Sequence, residues 1–180
     1  MHSRKIIVQN ITNLTDARYF AAWGVDYLSY NLDPASEYAI TMETAMEISG
    51  WVEGPKTLIE SKSIDYLDGV DGHILDESFS SLPLSKEAFF RTTLDRLQAG
   101  LTQGAYILKV DRDNLDAMKA LTHEERLGHD LYMDITDLDF DLLDTLPEGG
   151  LVVQGGEEEK VGVKSFDQLD ALYDWIQEDA

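Results

Sequence analysis

The chain has 180 residues, of which 43% are hydrophobic, and it contains no cysteine. This composition is ordinary for a globular protein and excludes a disulfide framework and a thiolate metal site. The formal net charge is −21, from 35 acidic and 14 basic residues. Such a charge works against binding to nucleic acid or to anionic membranes, because phosphate binding needs clustered Lys and Arg.

Short apolar runs alternate with helical patterns along the whole chain, which is typical of parallel α/β architecture. Most of these runs are continuous in Ile, Val, Leu and Tyr, as expected for strands that are covered by helices. Eight strands are predicted, at residues 6–10, 27–31, 56–60, 73–76, 89–94, 105–110, 131–135 and 151–154.

The first two helices are predicted where a capping residue precedes an apolar stripe. Thr15 is expected to cap a helix over residues 16–23, which Gly24 ends. Thr41 is expected to precede a second helix over residues 42–51. Each of these segments separates two predicted strands, so that the pattern reads as strand, helix, strand from the beginning of the chain.

Later helical patterns are weaker. Helices are predicted over residues 114–127 and after Ser165, whereas residues 79–88 contain Pro83 and little periodicity and are expected to form a loop. A complete (β/α)₈ barrel usually has about 250 residues. The sequence therefore predicts an α/β fold of one domain over residues 1–180, a compact (β/α)₈ TIM barrel with short or missing helices, especially between strands four and five.

No stretch approaches the roughly 18 apolar residues of a membrane span. The opening residues MHSRKIIVQN lack the long apolar core of a secretory signal. We therefore expect a cytoplasmic protein without a membrane span, and no motif in the chain calls for a cofactor. No metal site is predicted either. The acidic run 137–148 lacks the glycine of a calcium loop and is expected to be a short acidic helix, while His73 stands alone near Asp76.

Both ends of the chain carry recognisable sequence motifs. Residues 6–31 read IIVQNITNLTDARYFAAWGVDYLSYN, and residues 153–164 read VQGGEEEKVGVK. The first segment resembles the opening K-I-C-G-I-T, D-A and G-A-D-x-L-G-F of the phosphoribosylanthranilate isomerase family, and the second resembles its closing V-S-S-G-V-E and G-V-K-D. The matching positions are Ile11, Thr12, Asp16, Ala17, Gly24, Asp26, Leu28, Gly156, Glu158, Gly162, Val163 and Lys164. The resemblance implies a barrel that isomerises an aldose to a ketose in tryptophan biosynthesis, on a phosphorylated ribose bearing an aromatic amine.

The resemblance also implies catalytic positions. The family's catalytic cysteine position is occupied by Gln9, whose amide cannot titrate near neutral pH, and loss of a general base costs about 10²–10⁴ in rate. The family places an acid late in strand six. Counting strands places this acid at Asp111, whereas similarity to the family's local motif places it at Asp134. Strand order favours Asp111, and Asp134 is the second candidate.

Four residues are candidates for anion binding. Gly155 and Gly156 either present backbone N–H groups to an anion or form a tight turn. Arg91 and Lys109 lie inside predicted strands, and a cation that points into a barrel needs a carboxylate partner or an anionic ligand. After strand two, where the family has its substrate arginine, this chain has the acid Glu37.

Three functions remain open. The first is a diverged small-molecule enzyme, with Asp111 or Asp134 as acid and Arg91 or Lys109 orienting an anion. The second is a non-catalytic binding protein. The third is an active phosphoribosylanthranilate isomerase that uses a different base. The expected partner is a small anionic metabolite, and the sequence predicts no oligomeric state. The missing cysteine, substrate arginine and one glycine loop argue against the third function.

Overall fold

The structure is a computed structural model, and it describes residues 4–62, 69–79, 86–100, 104–121, 130–155, 158–160, 163–164 and 167–178. Eight parallel strands close into a barrel in chain order, with β8 paired to β1. The strands are β1 (Ile6–Gln9), β2 (Tyr27–Asn31), β3 (Lys56–Glu60), β4 (Gly72–Asp76), β5 (Glu87–Thr92), β6 (Ala105–Lys109), β7 (Asp130–Asp134) and β8 (Gly150–Gln154).

The closed eight-stranded parallel barrel confirms the predicted fold class. Most strands lie within a residue of their predicted ends, and β5 differs most. The sequence predicted a strand over 89–94, but β5 ends at Thr92. The reason is that Thr93 begins a helix that the sequence did not predict, because its side chain accepts a hydrogen bond from the Arg96 backbone N–H at 3.4 Å.

The helices outside the barrel are short, which is how the fold fits into 180 residues. They are α1 (Leu14–Trp23), α2 (Met42–Ser49), α3 (Leu94–Gln98), α4 (Leu115–Lys119) and α5 (Asp167–Glu178). Short 3₁₀ helices lie at Glu77–Phe79 and Phe140–Thr145, and a small antiparallel pair is formed by β9 (Glu158–Lys160) and β10 (Val163–Lys164).

Several helix predictions need correction or lie outside the described residues. The acidic run after β7, which was expected to be a short acidic helix over 137–148, forms a 3₁₀ helix over Phe140–Thr145. Residues 80–85 of the expected β4–β5 loop, residues 122–129 of the helix predicted over 114–127, and Ser165 are outside the described residues. None of the helices among the described residues is long and apolar enough to cross a membrane.

The cap of α1 is Asn13 and not the predicted Thr15. The Asn13 backbone is extended, and its side chain accepts a hydrogen bond from the Asp16 backbone N–H at 2.9 Å. A capping residue must lie just outside the helix with such a conformation, whereas Thr15 already belongs to the first turn. Gly24 ends α1 as predicted, with a φ of 77° that glycine adopts without steric cost.

One buried apolar side chain from each strand fills the barrel. These eight residues are Ile7, Tyr27, Leu58, Ile74, Phe89, Ile107, Tyr132 and Val152. Phe89 contacts Tyr27 and Tyr132 edge to face, with ring centroids 5.1 Å away in both pairs. Full burial of such side chains contributes about 1.5–3 kcal/mol each. The interior is therefore a packed core and not a pore, and ligands must bind at an end.

Candidate functional site

Polar residues follow the apolar interior at the carboxyl end of the barrel, which we call the mouth. Strand side chains alternate between two faces, so that the residue two positions after each interior residue also points inwards. At these positions all eight strands carry polar residues: Gln9, Ser29, Glu60, Asp76, Arg91, Lys109, Asp134 and Gln154. This is the end at which β/α barrels place their binding and catalytic groups.

Four of these residues form a closed hydrogen-bonded set, the Arg91 network: Gln9, Glu60, Arg91 and Asp134. Arg91 Nε and Nη2 donate to the two oxygens of Glu60 at 2.5 and 2.8 Å. Arg91 Nη2 also donates to Gln9 Oε1 at 2.7 Å, and Nη1 donates to Asp134 Oδ2 at 3.4 Å. Gln9 Nε2 donates to Asp134 Oδ2 at 3.1 Å. The four residues come from β1, β3, β5 and β7, and alternate strands supply one layer of such a barrel.

Thr136 completes the contacts of Gln9 and Asp134, and sequence reasoning missed it. Its hydroxyl donates to Asp134 Oδ1 at 2.7 Å and accepts from Gln9 Nε2 at 2.9 Å. Its backbone N–H donates to Asp134 Oδ1 at 3.2 Å. An Asp whose carboxylate accepts from the backbone two residues later is an Asx turn. The Asp-Ile-Thr motif at the end of a predicted strand could therefore have predicted the contact between Asp134 and Thr136.

The Arg91 network is largely removed from water. Gln9 and Asp134 are each 4% exposed, whereas the Arg91 side chain is 34% exposed. Burial acts to lower the pKa of Arg91, but the hydrogen bonds and charges of Glu60 and Asp134 outweigh it and raise the pKa above its ordinary value. Arg91 is therefore a permanent cation that faces two carboxylates.

The structure brings Asp134 to Gln9 and leaves Asp111 in a loop. Asp111 follows β6, and its Oδ1 accepts hydrogen bonds from the backbone N–H groups of Asp113 and Asn114, both at 3.0 Å. It caps the turn before α4, because the inward position at the end of β6 belongs to Lys109. Glu37 is exposed in the loop after β2. The acid that contacts Gln9 is therefore the one indicated by the local motif, Asp134, and not the one indicated by strand order, Asp111.

Lys109 does not join the Arg91 network. Its Nζ lies 2.5 Å from Asp137 Oδ2, with 60% of its side chain exposed. The hydrogen bond to Asp137 raises the pKa of Lys109. Arg112 forms a parallel link, since its Nε and Nη2 donate to Asp139 Oδ2 at 3.0 and 2.5 Å. Lys109 therefore ties the end of β6, and Arg112 the loop after β6, to the loop after β7.

Gly155 lies against a carboxylate of α1. A Cβ atom at Gly155 would stand 2.9 Å from Asp16 Oδ2 and 3.7 Å from Phe20 Cε2, and Asp16 is 2% exposed. The absence of a side chain thus lets the chain after β8 approach α1 closely. An anion at Gly155 would meet the Asp16 charge. Gly156 lies outside the described residues, so that anion binding by this glycine pair stays a prediction.

A cleft opens beside Arg91 at the ends of β4 and β5. It has a volume of about 270 Å³ and is lined by Asp76, Arg91, Thr92 and Thr93. The Asp76 carboxylate accepts from the Ser78 backbone N–H at 2.9 Å, and its hydrogen bonds to Ser78 lower its pKa. Sequence reasoning did not single out the two threonines, because no motif marks them.

His73 does not reach this cleft. It is buried on the outer face of β4, whereas Ile74 and Asp76 have the inward parity. His73 and Asp76 therefore lie on opposite faces of β4. Among the described residues, no group of three or more His, Asp or Glu side chains is arranged to hold a metal ion.

Comparison with known proteins identifies the fold. No protein-family model and no curated protein matches the sequence. Solved structures of phosphoribosylanthranilate isomerases match almost the full chain. One, in complex with reduced 1-(o-carboxyphenylamino)-1-deoxyribulose 5-phosphate, is 15% identical with a TM-score of 0.70, over 97% of this chain and 99% of that one. The isomerase from Thermotoga maritima is 16% identical with a TM-score of 0.68, over 98% of both chains. TrpF from Jonesia denitrificans is 18% identical with a TM-score of 0.70, over 98% of both.

Proposed function

We propose that this chain, which has the fold of phosphoribosylanthranilate isomerases, is a diverged barrel protein that binds a small polar molecule at its mouth. We further propose that it does not carry out the isomerisation in its usual form. The observation that carries the proposal is the closed Arg91 network, in which the side chains at the mouth bond to one another.

The chemistry of Gln9 supports this proposal. An aldose-to-ketose rearrangement needs a base that removes a carbon-bound proton, and an amide cannot act as that base. Both ends of the Gln9 amide are also engaged, since the carbonyl accepts from Arg91 and the amino group donates to Asp134 and Thr136. Gln9 therefore serves as a hydrogen-bonding bridge across the barrel.

The surroundings of Asp134 point the same way. Every contact of its carboxylate is with a donor: Gln9, Arg91, and the backbone and hydroxyl of Thr136. Both oxygens of the Asp134 carboxylate are thus engaged by donors of the protein itself, and a ligand must compete with these donors for them. The network therefore stabilises the mouth in place of supplying an acid and a base.

A small-molecule site is supported by the cleft beside the network. The mouth is polar and not closed by apolar side chains, and the cleft offers Asp76, Thr92, Thr93 and the edge of Arg91. Concave sites with a few convergent polar groups are where small ligands bind. The small anionic metabolite expected from the sequence stays a prediction.

A second candidate is an active phosphoribosylanthranilate isomerase that uses a different base. Two observations favour it: the full-length similarity to solved isomerases, and the direct contact of Asp134 with the residue at the family's cysteine position. In this candidate, Asp134 would be the group with acid–base capacity beside the substrate.

Complementation separates the two candidates. The gene is expressed in a bacterial strain that lacks the isomerase, on medium without tryptophan, with the Thermotoga maritima isomerase as positive control. We expect no growth from the wild-type chain, because Gln9 cannot replace a thiol. Growth would contradict the proposal. In that case Asp134→Asn should abolish growth and Asp111→Asn should leave it unchanged, since only Asp134 contacts Gln9.

A further inference from the structure

Arg91 has little capacity left for a ligand. A guanidinium has five N–H donors. Four of these are engaged by the bidentate pair with Glu60 and the contacts with Gln9 and Asp134. Bidentate arginine–carboxylate pairs are among the strongest hydrogen-bonded contacts in proteins, because both partners are charged and the geometry is matched. An anionic ligand at Arg91 must therefore compete with a carboxylate that the fold already places there.

The charge balance of the mouth also opposes an anion. Glu60 and Asp134 together carry one more negative charge than Arg91 neutralises, and the charge of Asp76 at the cleft is already opposed by Arg96 of the protein itself. An anionic ligand beside these carboxylates would bring like charges together, which strongly disfavours its binding. The net charge of −21 on the whole chain adds a long-range field of the same sign.

The neighbouring cations are committed as well. Lys62 Nζ lies 2.7 Å from Asp33 Oδ2, just after β3, and Lys109 Nζ lies 2.5 Å from Asp137 Oδ2 at the end of β6. Three cations at the carboxyl ends of β3, β5 and β6, namely Lys62, Arg91 and Lys109, thus each face a carboxylate of the protein itself.

We propose that Glu60 determines the charge selectivity of the cleft. Glu60 is an internal counter-anion that holds the Arg91 side chain. It thereby restricts the cleft to polar ligands that carry no negative charge. This inference rests on the proposed function, since it takes the cleft as the place where a small polar molecule binds. It differs from the anionic metabolite that the sequence predicted.

The burial and orientation of Glu60 explain why it controls the charge selectivity of the cleft, whereas an exposed surface acid does not. The Glu60 side chain is 19% exposed, and both of its oxygens face the guanidinium. Replacement of Glu60 by the isosteric glutamine keeps the volume and one acceptor but removes the charge. Arg91 would then be balanced by Asp134 alone, and its edge at the cleft would attract an anion.

The test is a titration with inorganic phosphate, followed through the Arg91 Nε–H resonance in ¹H–¹⁵N spectra. We expect no saturable shift for the wild-type chain. Glu60→Gln should show a saturable shift, with phosphate binding at least about tenfold tighter than the limit that the wild-type titration sets, because one adjacent like charge is removed. Glu47→Gln is the matched control, since it removes the same charge from an exposed position on α2. It should behave like the wild type.

A second titration compares ribose with ribose 5-phosphate, two probes that differ by one phosphate. The wild-type chain should not prefer the phosphorylated sugar, whereas Glu60→Gln should. A wild-type shift of Arg91 with phosphate, a preference of the wild type for ribose 5-phosphate, or a folded Glu60→Gln without gain would overturn the inference. If Glu60→Gln does not fold, the two wild-type titrations decide alone. Complementation is scored separately, so that failure of this inference is distinguishable from failure of the proposed function.

Discussion

Gln9 and Gly155 show how far a single residue can be interpreted before its neighbours are known. The amide of Gln9 excludes it as a base from its chemistry alone, but its bridge to Arg91 and Asp134 depends on residues 82 and 125 positions away. Gly155 has the smallest side chain wherever it stands. Its role depends on the Asp16 carboxylate, which approaches from a helix near the other end of the chain.

The contact at Gly155 predicts a steric cost for a methyl group. Gly155→Ala should lower the free energy of unfolding by about 1–3 kcal/mol, as overpacking does, because its Cβ would stand 2.9 Å from Asp16 Oδ2. The measurement is urea denaturation. Gly104→Ala is the control, since a Cβ there meets no atom closer than 3.4 Å. In a double-mutant cycle, Gly155→Ala should cost less in the Asp16→Ala background than in the wild type. Equal effects at Gly104 and Gly155 would contradict the steric account.

Helix and strand boundaries depend on single capping residues. Both β5 and α1 show this, since Thr93 ends one strand early and Asn13 begins one helix early. Polar residues stand at neighbouring positions in both segments, and hydrophobic periodicity does not choose between them. The choice is made by the backbone conformation outside the helix, which must let a side-chain oxygen face a free N–H group.

The α1 cap can be tested with two neighbouring substitutions. Asn13→Ala should destabilise the protein by about 1 kcal/mol, because the Asp16 backbone N–H loses its partner. Thr15→Ala should change the stability by less than about 0.5 kcal/mol, since Thr15 is exposed in the first turn. Thermal or urea unfolding of both variants supplies the comparison. A larger loss at Thr15 than at Asn13 would restore the cap that the sequence predicted.

The whole molecule combines a small barrel with a large negative charge. Short helices such as α3 and α4, with five residues each, let eight strands close within 180 residues. The charge of −21 does not determine this fold, but it destabilises any compact state through self-repulsion. Exposed pairs such as Lys56–Glu87 offset little of that repulsion, because solvent screens them.

Salt should therefore stabilise this protein. Raising NaCl from about 20 mM to about 200 mM shortens the Debye length from roughly 20 Å to roughly 7 Å. We expect the Tm to rise by about 2–4 °C, which corresponds to about 1 kcal/mol for a chain of this size. Glu53→Lys, at an exposed loop position, should raise the Tm at low salt and reduce the response to salt. An unchanged or lower Tm in salt would mean that ion pairs outweigh the net repulsion.

The barrel could be predicted because its signals are local. Continuous apolar runs, separated by capping and turn residues, indicate eight parallel strands without any knowledge of which strands pair. The candidate site was partly predictable for the same reason. Gln9 was singled out because the family resemblance aligns it with a catalytic cysteine, and Arg91 because a cation inside a strand needs a partner.

The sequence by itself determined the fold class, the order of the strands and the absence of a thiol base, because each depends on residue types and short spacings. Only the tertiary structure decided that Asp134 contacts Gln9, that Asp111 does not, and that Glu60 forms an ion pair with Arg91. The partners of Arg91 lie 31, 43 and 82 residues from it along the chain. Barrel closure and strand register bring these residues together, and no local pattern in the sequence encodes such distances.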